Sequence, residues 1–385
     1  MKVATVKKVS PIASLPDNDS GHCDPTGRGK LSITNSYALL IPLISLALSC
    51  LCFAGCTEGL DTSAKPPPRL YKITSKDLHG VDTYGTDHIW LVGARGSVYH
   101  SPDGGNAWKP QASGTKDLLT SVSFIDANTG WITGIYGMML KTEDGGENWT
   151  RQNTGTEHHL FKASFLDEHT GWAVGFMGTI IHTADGGATW KPQRENVDAN
   201  FNGVHFVDAQ YGWVVGEFGT ILHTRDGGNT WKQQKPYALF KNEDDPWADV
   251  ILALYGVQFI DREMGWVVGM EGVLLSTEDG GETWNDLGKI TDYAYYNIDI
   301  LSGRAWAVGK AGNYILSRDG GKTFQPIEDA IKTRFWLHDL SFSSPQVGWV
   351  VGARGAVAKT EDGGETWKML SGLTYDVPEF GLTDF

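Results

Sequence analysis

Residues 212–231 read GWVVGEFGTILHTRDGGNTW, and this stretch decides the fold. Apolar β-formers run up to Gly216, two variable residues follow, and Gly219 opens a second apolar run that ends at Thr224. The pattern is two short strands joined by a glycine-flanked turn. In the following Thr-Arg-Asp-Gly-Gly-Asn-Thr-Trp segment, an Asp-box, the Asp226 carboxylate can accept N–H groups across the turn. The two glycines take positive φ without steric cost. The unit recurs as WLVGARGSVYHSPDGGNAW (90–108), WITGIYGMMLKTEDGGENW (131–149) and WAVGFMGTIIHTADGGATW (172–190). It continues as WVVGMEGVLLSTEDGGETW (266–284), WAVGKAGNYILSRDGGKTF (306–324) and WVVGARGAVAKTEDGGETW (349–367). The turn aspartates Asp103, Asp144, Asp185, Asp226, Asp279, Asp319 and Asp362 are 41, 41, 41, 53, 40 and 43 residues apart. Seven in-register copies define a repeat architecture.

An inner strand precedes each copy, as in LTSVSF (Leu119–Phe124) and FNGVHF (Phe201–Phe206), and a fourth is expected to start at the closing Trp. One four-stranded sheet has two faces to bury; seven stacked around an axis bury them all and leave few edges. The expected fold is all-β, a seven-bladed β-propeller with four-stranded antiparallel blades and an Asp-box in each. It covers residues 69–372 and leaves a tail at 373–385. Thirteen of the 15 tryptophans hold repeat positions and read as core; Phe324 replaces the missing Asp-box Trp. The seven aspartates read as structural turn residues, because they lack the further oxygen ligands that calcium needs.

All four cysteines, Cys23, Cys50, Cys52 and Cys56, precede the repeats, which therefore owe nothing to disulfides or thiolate metal sites. Residues 37–53 are an apolar run behind Lys30 and ahead of Ala54-Gly55-Cys56. A basic flank, a short apolar core and small residues at a boundary make an export signal, here residues 1–56. The junction resembles a bacterial lipobox, which implies cleavage before Cys56 and lipidation of that residue. The competing reading is an uncleaved anchor, since the run is near the shortest span. Either way the body stands outside the cytoplasm and tethered, on the periplasmic side of the envelope. Thr57 after the cysteine implies, by the same resemblance, the outer membrane. Residues 57–68, TEGLDTSAKPPP, form a linker that Pro66, Pro67 and Pro68 stiffen. The net charge is −14, and residues 1–56 carry five Lys/Arg against three Asp/Glu, so the remainder stands at −16. Such a body is no nucleic-acid binder.

If strands alternate in direction, the VGxxG turns and the connections between blades share one face and the Asp-boxes share the other. Variation concentrates on the first face. Ring closure makes blades six, seven and one neighbours, so Lys310, Arg354 and Arg95 form a basic arc. Tyr136, Phe176, Met177 and Phe218 form an apolar arc, and Glu217 with Glu271 an acidic one. Trp247 and Trp336 alone escape the repeat, and both sit in connections; Trp247 lies in the insertion 235–256 that explains the 53-residue spacing. Tyr293, Tyr295, Tyr296, Arg334, Phe335 and His338 lie in similar connections. Exposed aromatics beside arginine suit an interface; the alternative is that they pack over the propeller mouth.

Catalytic signatures are sparse. His100, His182 and His223 recur on separate blades and read as structural, and His158-His159 has no third ligand nearby. No metal or cofactor is expected. A glycosidase needs a carboxyl pair about 5 Å apart or wider. Glu217, Glu243, Asp244, Asp245, Glu271 and Asp299 are candidates near the VGxxG face, with Arg95, Arg334 and Arg354 for a substrate carboxylate. The arginine motif that opens a sialidase chain is missing. Glycan binding through Trp247, Trp336 and Tyr296 remains the alternative to protein binding.

The repeat GWxVGxxGxIxxTxDGGxTW resembles the photosystem II stability/assembly factor-like family of Asp-box propellers over residues 70–370. Photosynthetic members bind newly made reaction-centre subunits in the lumen, partly through an arginine-rich patch, of which Arg95, Arg354 and Lys310 are a partial counterpart. Seven intact Asp-boxes look more like a relative from a non-photosynthetic bacterium. The resemblance implies a non-catalytic accessory or assembly factor, and the chain is expected to be monomeric. Its partner would be a subunit of a membrane protein complex or an envelope protein.

Overall fold

The computed structural model describes residues 69–70, 73–234 and 252–373. Cys56, Trp247, Glu243, Asp244 and Asp245 lie outside them. Seven antiparallel sheets make the propeller. Blade 1 consists of Leu78–Tyr84, His88–Gly93, Ser97–Ser101 and Lys109–Ala112, from axis to rim. The later inner strands are Leu119–Phe124, Leu160–Phe165, Phe201–Phe206, Leu254–Phe259, Tyr295–Leu301 and Leu337–Phe342. The outer strands begin one residue after the expected point, because the closing Trp still belongs to the turn. Blade 7 departs from four strands: Arg69–Leu70 pairs with Lys368–Leu373 as a fifth, outermost strand. Among the described residues no helix is long and apolar enough to cross a membrane; the apolar run 37–53 lies outside them.

Two repeat elements join each blade to the next. Trp213 of blade 4 is fully buried between His223 of its own blade, at 4.7 Å, and Phe259 of blade 5, at 3.5 Å. Its indole N–H donates to the Gly280 carbonyl in the blade 5 Asp-box at 3.0 Å. Trp90, Trp131, Trp172, Trp266 and Trp306 donate in the same way to the next blade's Asp-box glycine. Inside each box the Asp works locally. Asp226 Oδ1 accepts the Thr230 N–H and the Thr224 hydroxyl, both at 2.8 Å, and the Thr224 oxygen accepts the Gly228 N–H at 2.8 Å. Donors converging on the carboxylate hold Asp226 below the usual range and draw Asp185 and Asp319 down to about 2.

The seam from blade 7 to blade 1 differs. Trp349 Nε1 is buried with no partner among the described residues, and Thr83 stands where five of the other blades offer Phe to stack on and blade 6 offers Ile300. The axis closes this seam instead. Asp339 Oδ2 accepts the Val81 N–H at 3.0 Å, the Thr83 and Ser341 hydroxyls meet at 2.9 Å, and His338 Nδ1 lies 2.8 Å from the Leu78 carbonyl.

Candidate partner-binding face

The hydrogen bonds fix which turns share a face. The Ala94 N–H donates to the Asp77 carbonyl just before the blade 1 inner strand, and the Gly96 N–H to Asp117 in the connection to blade 2. On the other side the Gly104 N–H of the Asp-box donates to the carbonyl of Asp87. The VGxxG turns and the blade connections therefore crown one face, as their spacing predicts.

At each VGxxG turn the second variable residue is left-handed. Arg95, Tyr136, Met177, Phe218, Glu271, Ala311 and Arg354 have φ of 54–61°. L-residues avoid this region at a cost of roughly 1–2 kcal/mol each. The glycine that follows has no alternative: a Cβ on Gly96 would sit 2.1 Å from the Thr115 carbonyl oxygen. These rigid tips project side chains outward. Tyr136 is 59% and Phe218 52% exposed, and Arg95, Arg354 and Lys310 are exposed as well.

The three arcs fare differently. Lys310, Arg354 and Arg95 lie on consecutive blades of this face, and the exposed Arg334 follows Thr333, whose carbonyl borders the Lys310 turn. The Arg354 guanidinium lies 4.7 Å over the Phe335 ring, and its backbone N–H donates to Asp77 Oδ1 at 2.6 Å. Among the described residues no carboxylate forms an ion pair with Arg95, Arg334 or Arg354. On the Asp-box rim Arg225, Arg262, Arg304 and Arg318 each meet one. In the apolar arc Tyr136 packs edge-on against His159 at 5.0 Å and Phe176 touches His158 and His159, so that histidine pair is a packing element. In the acidic arc Glu271 is exposed, but Glu217 turns back to accept the Asn200 N–H at 2.9 Å.

Every inner strand carries a bulge after its first residue, as between Leu78 and Gly80. A bulge re-aims the extra side chain, here at the mouth of the axial channel. On four consecutive blades those residues are Tyr255, Tyr296, His338 and His79. Their rings follow one another at 5.4, 6.1 and 4.4 Å, and Trp336, 39% exposed, tilts against Tyr296 at 6.0 Å. Tyr296 and Trp336 thus meet at the mouth beside the basic arc, whereas Tyr295, expected in a connection, opens its inner strand and is fully buried in the core. Burial, helped by His338, pulls His79 down to about 3, so this cluster is uncharged at neutral pH.

Asp299 corrects an expectation. As the fifth residue of its inner strand it faces the channel, well below the VGxxG face. The channel is a cavity of about 220 Å³ walled by Asp82, Asp299, Asp339, Lys162, His205 and Gln258, among others. Lys162 of blade 3 reaches Asp339 of blade 7 at 3.3 Å, and Asn297 also donates to Asp339. Asp82 accepts the Phe124 and Thr83 N–H groups at 2.6 and 2.8 Å, and Asp299 the Phe342 N–H at 2.7 Å. Burial pushes Asp82 up to about 7 and raises Asp299. These carboxyls stitch neighbouring blades, and the space between them is below the usual size of a ligand pocket. Sequence reasoning missed Asp82, Lys162, Asp339 and His79. The only signal was variation, since the inner strands LHGVDTY, LFKASF and LHDLSF differ from one another at the third residue and the first alone carries an acid at its fifth. Among the described residues no group of three His, Cys, Asp or Glu is placed to hold a metal. His100, His182 and His223 stack on Trp90, Trp172 and Trp213 at 4.6–4.8 Å.

A family profile described as photosynthesis system II assembly factor YCF48 matches residues 71–156, 151–239, 240–332 and 328–380. The chain belongs to this family. The photosystem II assembly protein Ycf48 of Thermosynechococcus vestitus is 34% identical over 62 residues, 15% of this chain and 18% of that protein's length. The solved structure of YCF48 bound to D1 peptide is 22% identical with a TM-score of 0.61, covering 74% of this chain and 94% of its own. YCF48 from Cyanidioschyzon merolae gives 23% and 0.61, over 76% and 98%. A GH74 xyloglucanase from Xanthomonas campestris reaches a TM-score of 0.62 at 13% identity, over 79% of this chain and 55% of that one. At such identities the structures establish the propeller fold and nothing finer.

Proposed function

We propose that this protein is a non-catalytic assembly or accessory factor. Its VGxxG face binds a segment of a membrane protein complex outside the cytoplasm, and the chain is held at the envelope by a lipid on Cys56. The observation that carries the reading is the gathering of Arg95, Arg334 and Arg354, which meet no carboxylate among the described residues, beside exposed Trp336, while Arg225, Arg262, Arg304 and Arg318 of the opposite rim each meet one. Arginine and aromatic anchors of this kind dominate protein interfaces. Family membership and the D1 peptide on a related propeller support the same role. Lys310, Tyr136, Phe218 and Tyr296 extend the face. Co-purification from solubilised envelope tests it: reversing Arg95 and Arg354 to Glu abolishes partner recovery, and unchanged recovery refutes the basic-arc interface.

The neighbouring Tyr296 and Trp336 rings also suit a sugar. Hydrolysis is disfavoured because Glu217 and Asp299 are spent on backbone N–H groups on different elements. A glycan array with a reducing-sugar assay decides between the readings; binding unaffected by Trp336→Ala excludes the aromatic mouth as a sugar site.

A further inference from the structure

The place where the chain enters the propeller carries orientation. Arg69 pairs with Leu373 and Leu70 with Gly372 on the outer edge of blade 7. Ser371, next along that edge, shares its register with Val357, two residues after the glycine that closes the blade 7 VGxxG turn. Followed toward lower numbers, strand 69–70 therefore runs toward the VGxxG face, and Arg69 stands at that end.

We infer that the VGxxG face is turned toward the bilayer, and that its occupant is an acidic juxtamembrane segment of an integral membrane protein. The inference rests on the lipid anchor of the preceding section. Residues 57–68 separate Cys56 from Arg69. Twelve residues reach at most about 43 Å when fully extended. The six-residue strand Lys368–Leu373 alone stands about 20 Å tall. Presenting the Asp-box face to the membrane would take about 20 Å of that limit to run down the edge of blade 7, whereas presenting the VGxxG face takes none. Charge agrees with geometry. The body stands at −16, yet the sector around the entry point exposes Lys76, Arg95, Lys310, Lys332, Arg334 and Arg354 against Glu328 and Asp329. Within a Debye length of about 8 Å these cations favour an acidic chain segment on the membrane side. Confinement by the tether raises the effective concentration of any segment emerging nearby, so a modest affinity suffices.

The test uses the mature lipidated chain on phosphatidylethanolamine/phosphatidylglycerol vesicles. Only Cys56 of the native cysteines persists in it, so Lys332→Cys and Glu263→Cys can each be labelled alone. Lipid-borne quencher should strongly quench the dye at position 332 and barely affect that at 263; equal or reversed quenching overturns the orientation. For the occupant, the vesicles carry a single-span probe peptide with an acidic juxtamembrane stretch or its Asn/Gln counterpart. A photo-crosslinker at position 332 should label the acidic probe several-fold more than the neutral one. Equal labelling, or binding of the unlipidated Cys56→Ser chain to probe-free anionic vesicles, overturns the occupant. Mass spectrometry showing no lipid on Cys56 removes this inference, while the charge-reversal test of the binding face stands independently.

Discussion

The two faces of the ring are built from the same seven repeats and solve opposite problems. On the Asp-box face the repeated aspartates, the glycine carbonyls and four arginines are spent on neighbours. Carboxylates cap their own turns, glycine carbonyls take indole N–H groups from the previous blade, and arginines pair with neighbouring acids. On the VGxxG face seven non-glycine tips are held left-handed, three arginines meet no acid among the described residues, and aromatics stand open. The first face stores stability. The second spends some of it, since strain of this kind persists only where the surroundings over-determine it. Repetition thus marks the scaffold and departure from it marks the candidate interface.

Breaking the scaffold side should have the largest effect. Trp213→Ala empties a fully buried site sandwiched by His223 and Phe259, and should cost about 3–5 kcal/mol; calorimetry that shows less than a third of this would mean the blades are not joined through the indole. Trp349→Ala should cost less than Trp213→Ala, because its indole N–H lacks the carbonyl partner and its ring lacks the phenyl stack. Asp226→Ala removes the acceptor for the Thr230 N–H and two hydroxyls, with an expected loss of about 1–3 kcal/mol in urea unfolding.

On the other face the sign should invert. Phe218→Gly relieves a left-handed residue and should change stability by no more than about 1 kcal/mol, in the stabilising direction, while weakening partner binding. A clear destabilisation would show that the tip is structural.

The channel supplies the mildest test. Burial raises Asp82 from its ordinary value of 3.8 to about 7. The folded chain therefore holds a proton that the unfolded chain has released. The associated stability is fully present below about pH 4 and is lost as pH rises through about 7. Asp82→Asn should flatten the melting temperature between about pH 4 and 7 while its amide oxygen keeps accepting from Phe124. An unchanged slope would place the titration elsewhere.

The ring was legible because each blade repeats the residues that join it to the next, so Trp213, Asp226 and Gly228 announce themselves by recurrence. The basic arc was legible for the complementary reason, as variation inside a fixed turn. The channel was not, because Asp82, Lys162 and Asp339 act across blades 1, 3 and 7, and no local pattern brings them together. Asp299 was misplaced for the same reason: residues along a tilted inner strand pass from mouth to axis within a few positions. The fifth strand at Arg69–Leu70 escaped notice because two residues carry no periodicity.

The division of labour is tested most directly by matching charge reversals on the two faces and measuring partner retention at equal folded fraction. Arg95→Glu with Arg354→Glu should lose the partner and keep the melting temperature, whereas Arg225→Glu with Arg318→Glu should keep the partner. Retention by the first pair together with loss by the second would contradict the assignment of the VGxxG face as the interface.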